Sequence, residues 1–490
     1  MSTVTIIGSG FSSLAAASVL AQKGHRVKVL EKNATPGGRA RQFQEAGFTF
    51  DMGPSWYWMP DVMERFFERF DQHTSNYFDL KRLDPSYRIF FEDGDRVDVP
   101  AGEAELYELF ESMEEGSGKK LKRFLEQAAI KYQVGVNHLV YQPALSPLEF
   151  VNKQVLSGMI HMDLFQSVGS SIRKQFKNDK LIKLLEFPSL FLGATPGNTP
   201  ALYSLMNYAD LKLGTWYPMG GMYRLVDAMY QLALEQGVEF HFNTPVTEIS
   251  VHRNRATGLQ SGEQFFPGDQ IIAGADYEFV ENQLLSPDLR SYSNPYWKKR
   301  TMAPSALIFY LGVKGSISNL KHHNLFFDRS FDQHADEIYT HPKWPEQPLF
   351  YACVPSKTDD GIAPSNHENV FILMPLAPGL NDHESIREKY FDLLMTRLEG
   401  HTGEKLTDRI VYKRSYCIND FKKDYNSFRG NAYGLANTLR QTAFLKPKLK
   451  SKKVQNLYYT GQLTSPGPGV PPAIISGQVA ADLLSKHSNP

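Results

Sequence analysis

Val4-Thr5-Ile6-Ile7-Gly8-Ser9-Gly10-Phe11-Ser12-Ser13-Leu14 stands at the start of the chain and decides how its fold is read. Four apolar or β-branched residues make a short strand and two glycines break it. Leu14, Ala17 and Leu20 then recur at helical spacing. Strand, glycine turn and helix, in that order, open a parallel α/β unit. Gly8 permits the tight turn, and Gly10 lets a ligand approach bare backbone. The first helical turn, through Phe11 and Ser12, offers free N–H groups at the positive end of the helix dipole, which suits a pyrophosphate. Ser13 stands where a third glycine usually allows close packing of helix on strand, and its small side chain still permits that packing.

A second strand, 26–30, ends in Glu31 with Lys32 beside it. An acidic group roughly 20 residues past the glycine turn accepts hydrogen bonds from ribose hydroxyls and repels a 2′-phosphate. The chain then continues Pro36-Gly37-Gly38-Arg39. Paired glycines let backbone pass close to a ligand, and Arg39 supplies fixed donors for a pyrophosphate or a ring edge. Pyridine-dinucleotide dehydrogenases do not carry this extension.

Composition narrows the remaining classes. Over 490 residues, 42% are hydrophobic and 22% charged, enough for two or three domains with their own cores. Lys+Arg and Asp+Glu number 53 each, so no net field favours nucleic acid. Cys353 and Cys417 form no CxxC pair and fit a reducing compartment. The first strand follows Met1 without a charged leader, which leads us to expect a cytoplasmic protein. No apolar run reaches the roughly 18 to 20 residues that span a bilayer, so any membrane contact is expected to be peripheral.

Pattern changes divide the chain. Residues 102–212 read as mostly helical, as in 103–113 and 121–133, with prolines at 143, 147, 188, 196 and 200. Strand-like runs come next at 238–242, 246–251, 271–273, 305–313 and 370–375, and 457–484 returns to strand, glycine-rich turn and helix. The expected architecture is α/β. A discontinuous Rossmann-type nucleotide domain comprises residues 1–66, 218–285 and 430–490, and a mixed-sheet substrate domain comprises 67–100 and 286–429. An inserted helical, membrane-associating region occupies 101–217.

Several segments together identify a family resemblance. The Pro36-Gly37-Gly38-Arg39 extension and Gly47-Phe48-Thr49-Phe50-Asp51-Met52-Gly53-Pro54 resemble the FAD-containing superfamily of amine oxidases, carotenoid desaturases and prenyl-protein escort proteins. The stretch 237–246 with Ile249 resembles that superfamily's strand pair near the adenine, where Val246 backbone is the contact. Leu457-Tyr458-Tyr459-Thr460-Gly461-Gln462 resembles the turn closing over the ribityl chain and flavin ring. The tail from Gly461 to Gly477, with Val470 and Pro471 at its helix, is similar to the C-terminal signature of bacterial-type phytoene desaturases. Relatives often carry His or Gly where Ser465, Pro468 and Pro472 stand. Trp216-Tyr217-Pro218-Met219-Gly220-Gly221 resembles that family's turn beside the flavin.

The resemblance implies FAD held by Gly8, Gly10, Phe11, Ser12, Ser13, Glu31, Lys32, Gly37, Gly38, Arg39, Gly53, Pro54, Ser55, Val246, Gly461, Gln462, Val470 and Pro471. It implies an apolar tunnel for a C40 polyene that loses hydride to flavin N5 and a proton from the adjacent carbon. The expected reaction converts phytoene toward lycopene. Alternatives are C3–C4 desaturation of a 1-hydroxy- or monocyclic (γ-type) carotenoid, carotenoid isomerisation, amine oxidation, and carriage of an isoprenoid without chemistry. Glu149 roughly matches a family carboxylate and is the candidate for stabilising charge.

No metal ligand set is legible. His322 and His323 are adjacent, so no shared face is expected for them. Membrane contact is expected at the apolar face of 155–165 and at the lysine cluster Lys446, Lys448, Lys450, Lys452 and Lys453.

Overall fold

The computed structural model describes residues 1–146, 149, 166–192, 195–438 and 440–488. Its first layer is a five-stranded parallel sheet in the order Leu457–Tyr459, Gln270–Ala273, Thr3–Ile7, Arg26–Leu30, Glu239–His241. The chain thus leaves this sheet after its second strand and returns to it from three distant places. Central parallel strands are covered on both faces, which is why Val4, Ile6 and Ile7 read as an apolar run.

The helix Phe11–Gln22 is buried from Phe11 through Leu20 because it is wedged between helices Tyr223–Glu235 and Val470–Ser488. The fit against the last helix is tight. A methyl group on Gly477 would lie 2.1 Å from the Ser12 carbonyl oxygen.

A seven-stranded mixed sheet forms the second layer, in the order Ile410–Tyr416, Ser305–Lys314, His367–Leu376, Phe350–Cys353, His323–Phe327, Tyr87–Phe91, Arg96–Val99. Within it, only the contact between His323–Phe327 and Tyr87–Phe91 is parallel. Alternation sorts its faces. Leu307, Phe309 and Leu311 pack with Leu394 and Leu398 of the helix Glu384–Thr402, whereas Ala306, Ile308 and Tyr310 belong to the core on the other side. Most of these strands lie outside the runs legible in the sequence. Tyr87–Phe91 is buried almost throughout and shows no period-two pattern, and Ile410–Tyr416 is a mostly polar edge.

The hairpin Gln42–Glu45 and Phe48–Asp51 joins the two layers. Ala46 and Gly47 both have positive φ, 50° and 80°, as a two-residue hairpin turn requires. Phe43 and Phe50 stack on one another and meet Tyr310 of the large sheet edge to face.

Helices Glu103–Met113, Ser117–Val134, Val168–Gln175 and Asp179–Glu186 make up much of the third region. Among the described residues no helix is long and apolar enough to cross a membrane. The expected apolar face at 155–165 lies outside the described residues. The lysine cluster is corrected: Lys446 is 2% exposed, and Lys448 donates to the carbonyls of Ala144 and Phe444. Only Lys452 and Lys453 are fully at the surface. The run is split because Pro447 and Leu449 sink into the core and carry Lys446 with them.

Candidate functional site

One cavity of about 600 Å³ lies between the two sheets. At one end are Gly8, Gly10, Glu31 and Val246, and at the other Trp56, Leu325, Phe327, Phe331 and Ile338.

The polar end is built on the tip of the first strand. Glu31 is 4% exposed and its four acceptor positions are all engaged: Oε2 by Ser9 N–H and Oγ (both 2.8 Å), Oε1 by Asn33 N–H (2.8 Å) and Nδ2 (2.9 Å). The carboxylate is therefore fixed before any ribose arrives, and Ser9 or Asn33 must turn aside to admit one. Neither partner is legible in the sequence, since only the acidic residue belongs to the recognisable spacing.

No side chain caps the helix that starts at Phe11, and a methyl group on Gly10 would meet no protein atom within 4 Å. Free N–H groups thus face open space where an anion can sit. Gly37 and Gly38, with φ of 111° and 55°, bring their backbone beside it; Gly38 has room for no more than van der Waals contact with Gly10 Cα.

Arg39 reaches along this wall. Its Nη2 donates to Ser427 Oγ (3.0 Å) and to the Asn431 carbonyl (3.3 Å), and its guanidinium sits 5.3 Å from the Tyr425 ring centre. Its Nε is buried without a partner among the described residues, a donor left for a bound group. Asp276, buried opposite, is held up by desolvation and pulled back by Arg39. Lys32 turns its ammonium to the Lys423 carbonyl at 2.6 Å.

Other expected residues border the same cavity. Gly53, Pro54, Ser55, Gly461, Gln462, Val470 and Pro471 line the cavity together with Phe11 and Ser12. Gly461, at φ 105°, is tied by its N–H to Ser476 Oγ at 3.0 Å.

Two expected residues lie elsewhere. Ser13 faces the neighbouring strand, not the cavity: a methyl group on Gly274 would fall 1.9 Å from its Oγ, so Gly274 gives the space that a third helix glycine would have given. Glu149 accepts backbone N–H groups of Leu145 (3.0 Å) and Ser146 (3.1 Å) and does not line the cavity. A local turn occupies it.

The apolar end is not legible as a site in the sequence, because its walls come from many segments. Trp56 and Trp58 come from the loop after the hairpin, Leu325, Phe327 and Leu373 from the large sheet, and Phe331, Ala335 and Ile338 from the helix Phe331–Tyr339. His334 sits in this wall with both nitrogens engaged, Nε2 with the Pro375 carbonyl (3.0 Å) and Nδ1 with Leu349 N–H (3.0 Å). Burial lowers its pKa to about 4, so it is a neutral wall residue. Tyr339 and Tyr433 are neighbours that line the chamber, and neither phenol oxygen has a hydrogen-bond partner among the described residues.

His322 and His323, despite being adjacent, both turn inward beside Cys353, and the ligand atoms of the three lie within 4.8 Å of one another. The expectation that adjacency would separate them is corrected. His323 begins a strand while His322 precedes it, and the rings meet edge to face at 4.5 Å. Their Nδ1 atoms bond Thr358 Oγ1 (2.7 Å) and Tyr351 Oη (2.6 Å), and burial pushes the Cys353 thiol up to about 12. His323 also stacks on Trp56 at 4.1 Å, which fixes that chamber wall.

Comparison with known proteins agrees with this geometry. Residues 11–485 match the family described as flavin containing amine oxidoreductase. A carotenoid 3,4-desaturase of Haloarcula japonica is 42% identical over 484 residues, covering 98% of this chain and 97% of that one. A 4,4′-diapophytoene desaturase of Staphylococcus haemolyticus is 33% identical, covering 98% of each chain. Among solved structures, an oxidoreductase from Methanosarcina mazei has the same fold, with a TM-score of 0.64 at 15% identity over 98% of this chain and all of that one.

Proposed function

Since the chain belongs to the flavin-containing amine oxidoreductases and, within them, to the carotenoid desaturases, we propose that it desaturates a carotenoid whose end group carries a hydroxyl, forming the C3–C4 double bond. It is an FAD-dependent oxidoreductase acting on CH–CH groups. When bound, FAD supplies the hydride acceptor.

The residues present fit that cofactor. The uncapped helix at Phe11 and the open face of Gly10 would take the pyrophosphate, Glu31 the adenosine ribose, Val246 the adenine side, and Gly461 and Gln462 the ribityl chain. The unpartnered Arg39 Nε is a donor in this wall still to be used.

The chamber then does the rest. Trp56, Leu325, Phe327 and Ile338 exclude water and hold an extended polyene in one lane. Keeping a reacting carbon in near-attack geometry is worth several kcal/mol, up to about 7 to 11. Loss of hydride from an allylic carbon leaves a delocalised cation on the substrate, and the adjacent hydrogen is then acidic enough to leave without a strong base. The chamber needs no carboxylate of its own for that step.

The pair Tyr339 and Tyr433 carries the choice of substrate. Leaving a desolvated hydroxyl unpaired costs about 1 to 3 kcal/mol, and a pure hydrocarbon such as phytoene leaves both unpaired. A tertiary hydroxyl can serve both, accepting from one phenol and donating to the other. The 42% identity to a carotenoid 3,4-desaturase supports the same reading. Stepwise conversion of phytoene toward lycopene is the second reading, favoured by the largely apolar lining of the chamber.

Phytoene, neurosporene and a 1-hydroxycarotenoid supplied in liposomes, with products separated by chromatography, test this. We expect turnover of the hydroxylated substrate, and phytoene as the preferred substrate would reverse the order. Such substrates reside in bilayers, so we further propose peripheral membrane attachment. Failure of the protein to float with liposomes at low salt would remove that part.

A further inference from the structure

Lys446 is a buried ammonium that the cradle and chamber do not explain. It is 2% exposed, and among the described residues the sole hydrogen bond of its ammonium is a long one to the Leu435 carbonyl, 3.4 Å. No described carboxylate contributes to its surroundings, and burial alone lowers its pKa from 10.5 to about 7. A charge taken from water without a partner costs several kcal/mol, so such a group is retained where something offsets it.

Its position says what that is. Lys446 lies between two segments that each reach the cavity: 431–437, through Ala432 and Tyr433, and 465–469, through Pro468 and Gly469. A methyl group on Gly467 would fall 3.2 Å from Lys446 Nζ and 2.8 Å from Asn437 Oδ1. Asn437 Oδ1 is itself buried without a partner among the described residues. A loop of small residues thus separates the ammonium from the cavity at the start of the helix Val470–Ser488, whose 19 residues point their positive dipole end the same way.

That helix start is chemically unusual. Its first turn is Val470-Pro471-Pro472, so two of the N–H groups that a helix end normally presents are missing. The dipole remains, with fewer donors to accompany it. Two positive features converge on one side of the cavity with no anion beside them among the described residues, an arrangement that a negative charge arriving in the cavity would stabilise.

We propose that Lys446 is the counter-charge of the reduced flavin, supplying across the Pro466–Gly469 loop positive potential that adds to the helix dipole where two prolines leave fewer hydrogen-bond donors. The electron pair that leaves the substrate C–H bond as hydride makes the flavin ring more negative. Lys446 holds that charge in place, and the proton lost from the adjacent carbon leaves separately. Lys446 does not line the cavity, so it acts through the field and not by contact.

The test needs no carotenoid, so its failure is separate from failure of the substrate reading. Lys446→Met and Lys446→Arg holoenzymes are compared with the parent for two-electron midpoint potential and for affinity toward sulfite, which adds to a flavin ring only where positive charge stabilises the product. Lys446→Met is expected to weaken sulfite binding about tenfold or more and to lower the potential by about 30 mV or more, the two-electron equivalent of tenfold. Lys446→Arg is expected to keep most of both. If Lys446→Met does not fold, Asn437→Asp places a carboxylate beside the ammonium and is expected to shift both readouts in the same direction. Parent-like potential and sulfite affinity in whichever of the two variants carries one FAD per chain would overturn the proposal.

Discussion

The two ends of the cavity differ in what they are made of: the cradle presents backbone and motifs a few residues long, while the chamber is walled by side chains gathered from Trp56 to Tyr433. A backbone contact demands glycine at a fixed place and tolerates nothing larger. A wall of side chains tolerates exchange, provided the volume and the few polar groups are kept. Mutations at the two ends are therefore expected to fail in different ways.

The largest effect is expected at Gly10. Nothing in the protein lies near its missing side chain, so Gly10→Val leaves the fold intact and fills the ligand's approach. We expect FAD affinity to fall at least about a hundredfold, nearly 3 kcal/mol, with the melting temperature of the apoprotein unchanged. Gly477→Ala provides the contrast, because its methyl meets the Ser12 carbonyl inside the core and lowers the apoprotein's melting temperature. Titration of apoprotein with FAD, followed by flavin fluorescence, and thermal melts separate the two. Normal FAD binding by Gly10→Val would break the distinction.

Next comes a change confined to the chamber. Ala335 faces it from the helix Phe331–Tyr339, and Ala335→Trp fills the polyene's lane without touching the cradle. Turnover is expected to drop more than about tenfold, the scale of a lost near-attack geometry, while the flavin spectrum and FAD stoichiometry stay parental. Loss of flavin in this variant would mean that the two ends are not separable.

The same contrast explains which residues the sequence discloses. Gly8, Gly10, Glu31, Gly37 and Gly461 declare themselves because each role is set by a turn geometry or a spacing local in sequence. Ser9 and Asn33 escape because holding a carboxylate needs only a donor, which many residues supply. Ser13 turns away from the cradle expected for it because a small residue on a helix can face ligand or strand, and Gly274, some 260 residues away, decides which. Leu325, Phe331 and Tyr433 meet only after two sheets have packed, and each reads as ordinary core by itself. The large sheet hides for a related reason: a strand covered on both faces loses the alternation that marks it.

A smaller and more selective effect is expected at the chamber's two phenols. Tyr433→Phe and Tyr339→Phe each remove one hydroxyl that has no partner among the described residues, so neither is expected to alter folding or FAD binding. For a hydroxylated carotenoid kcat/KM is expected to fall about tenfold, in the range of one lost hydrogen bond, and for a hydrocarbon to stay level or rise. Equal losses on both substrates would assign the phenols to packing.

The smallest effect is expected where the two ends are joined. Asp51 closes the hairpin that runs beside the cradle, accepting from Gln42 Nε2 (3.1 Å), Met222 N–H (2.7 Å) and Tyr223 N–H (3.1 Å). It thereby caps the helix Tyr223–Glu235, whose Val226 backs Gly37. Burial raises its pKa from 3.8 to about 6, against the pull of those three hydrogen bonds. The folded state thus holds this proton more tightly than the unfolded chain does. The associated stability is fully present below about pH 3.8 and is lost as pH rises through about 6. Asp51 also borders a small pocket with Tyr217 and Asn369 and is not fully shut off from solvent, which softens the penalty, so we expect on the order of 1 kcal/mol and a shift of about 1 to 2 °C. Asn at this position cannot titrate, and the cost of turning its amide against backbone donors does not vary with pH. The readout is therefore a slope: between pH 4 and pH 6.5 the melting temperature of the parent is expected to fall relative to Asp51→Asn, with FAD retained by both. Parallel profiles would mean that the three donors fully offset burial, and that the joint between cradle and chamber is insensitive to pH.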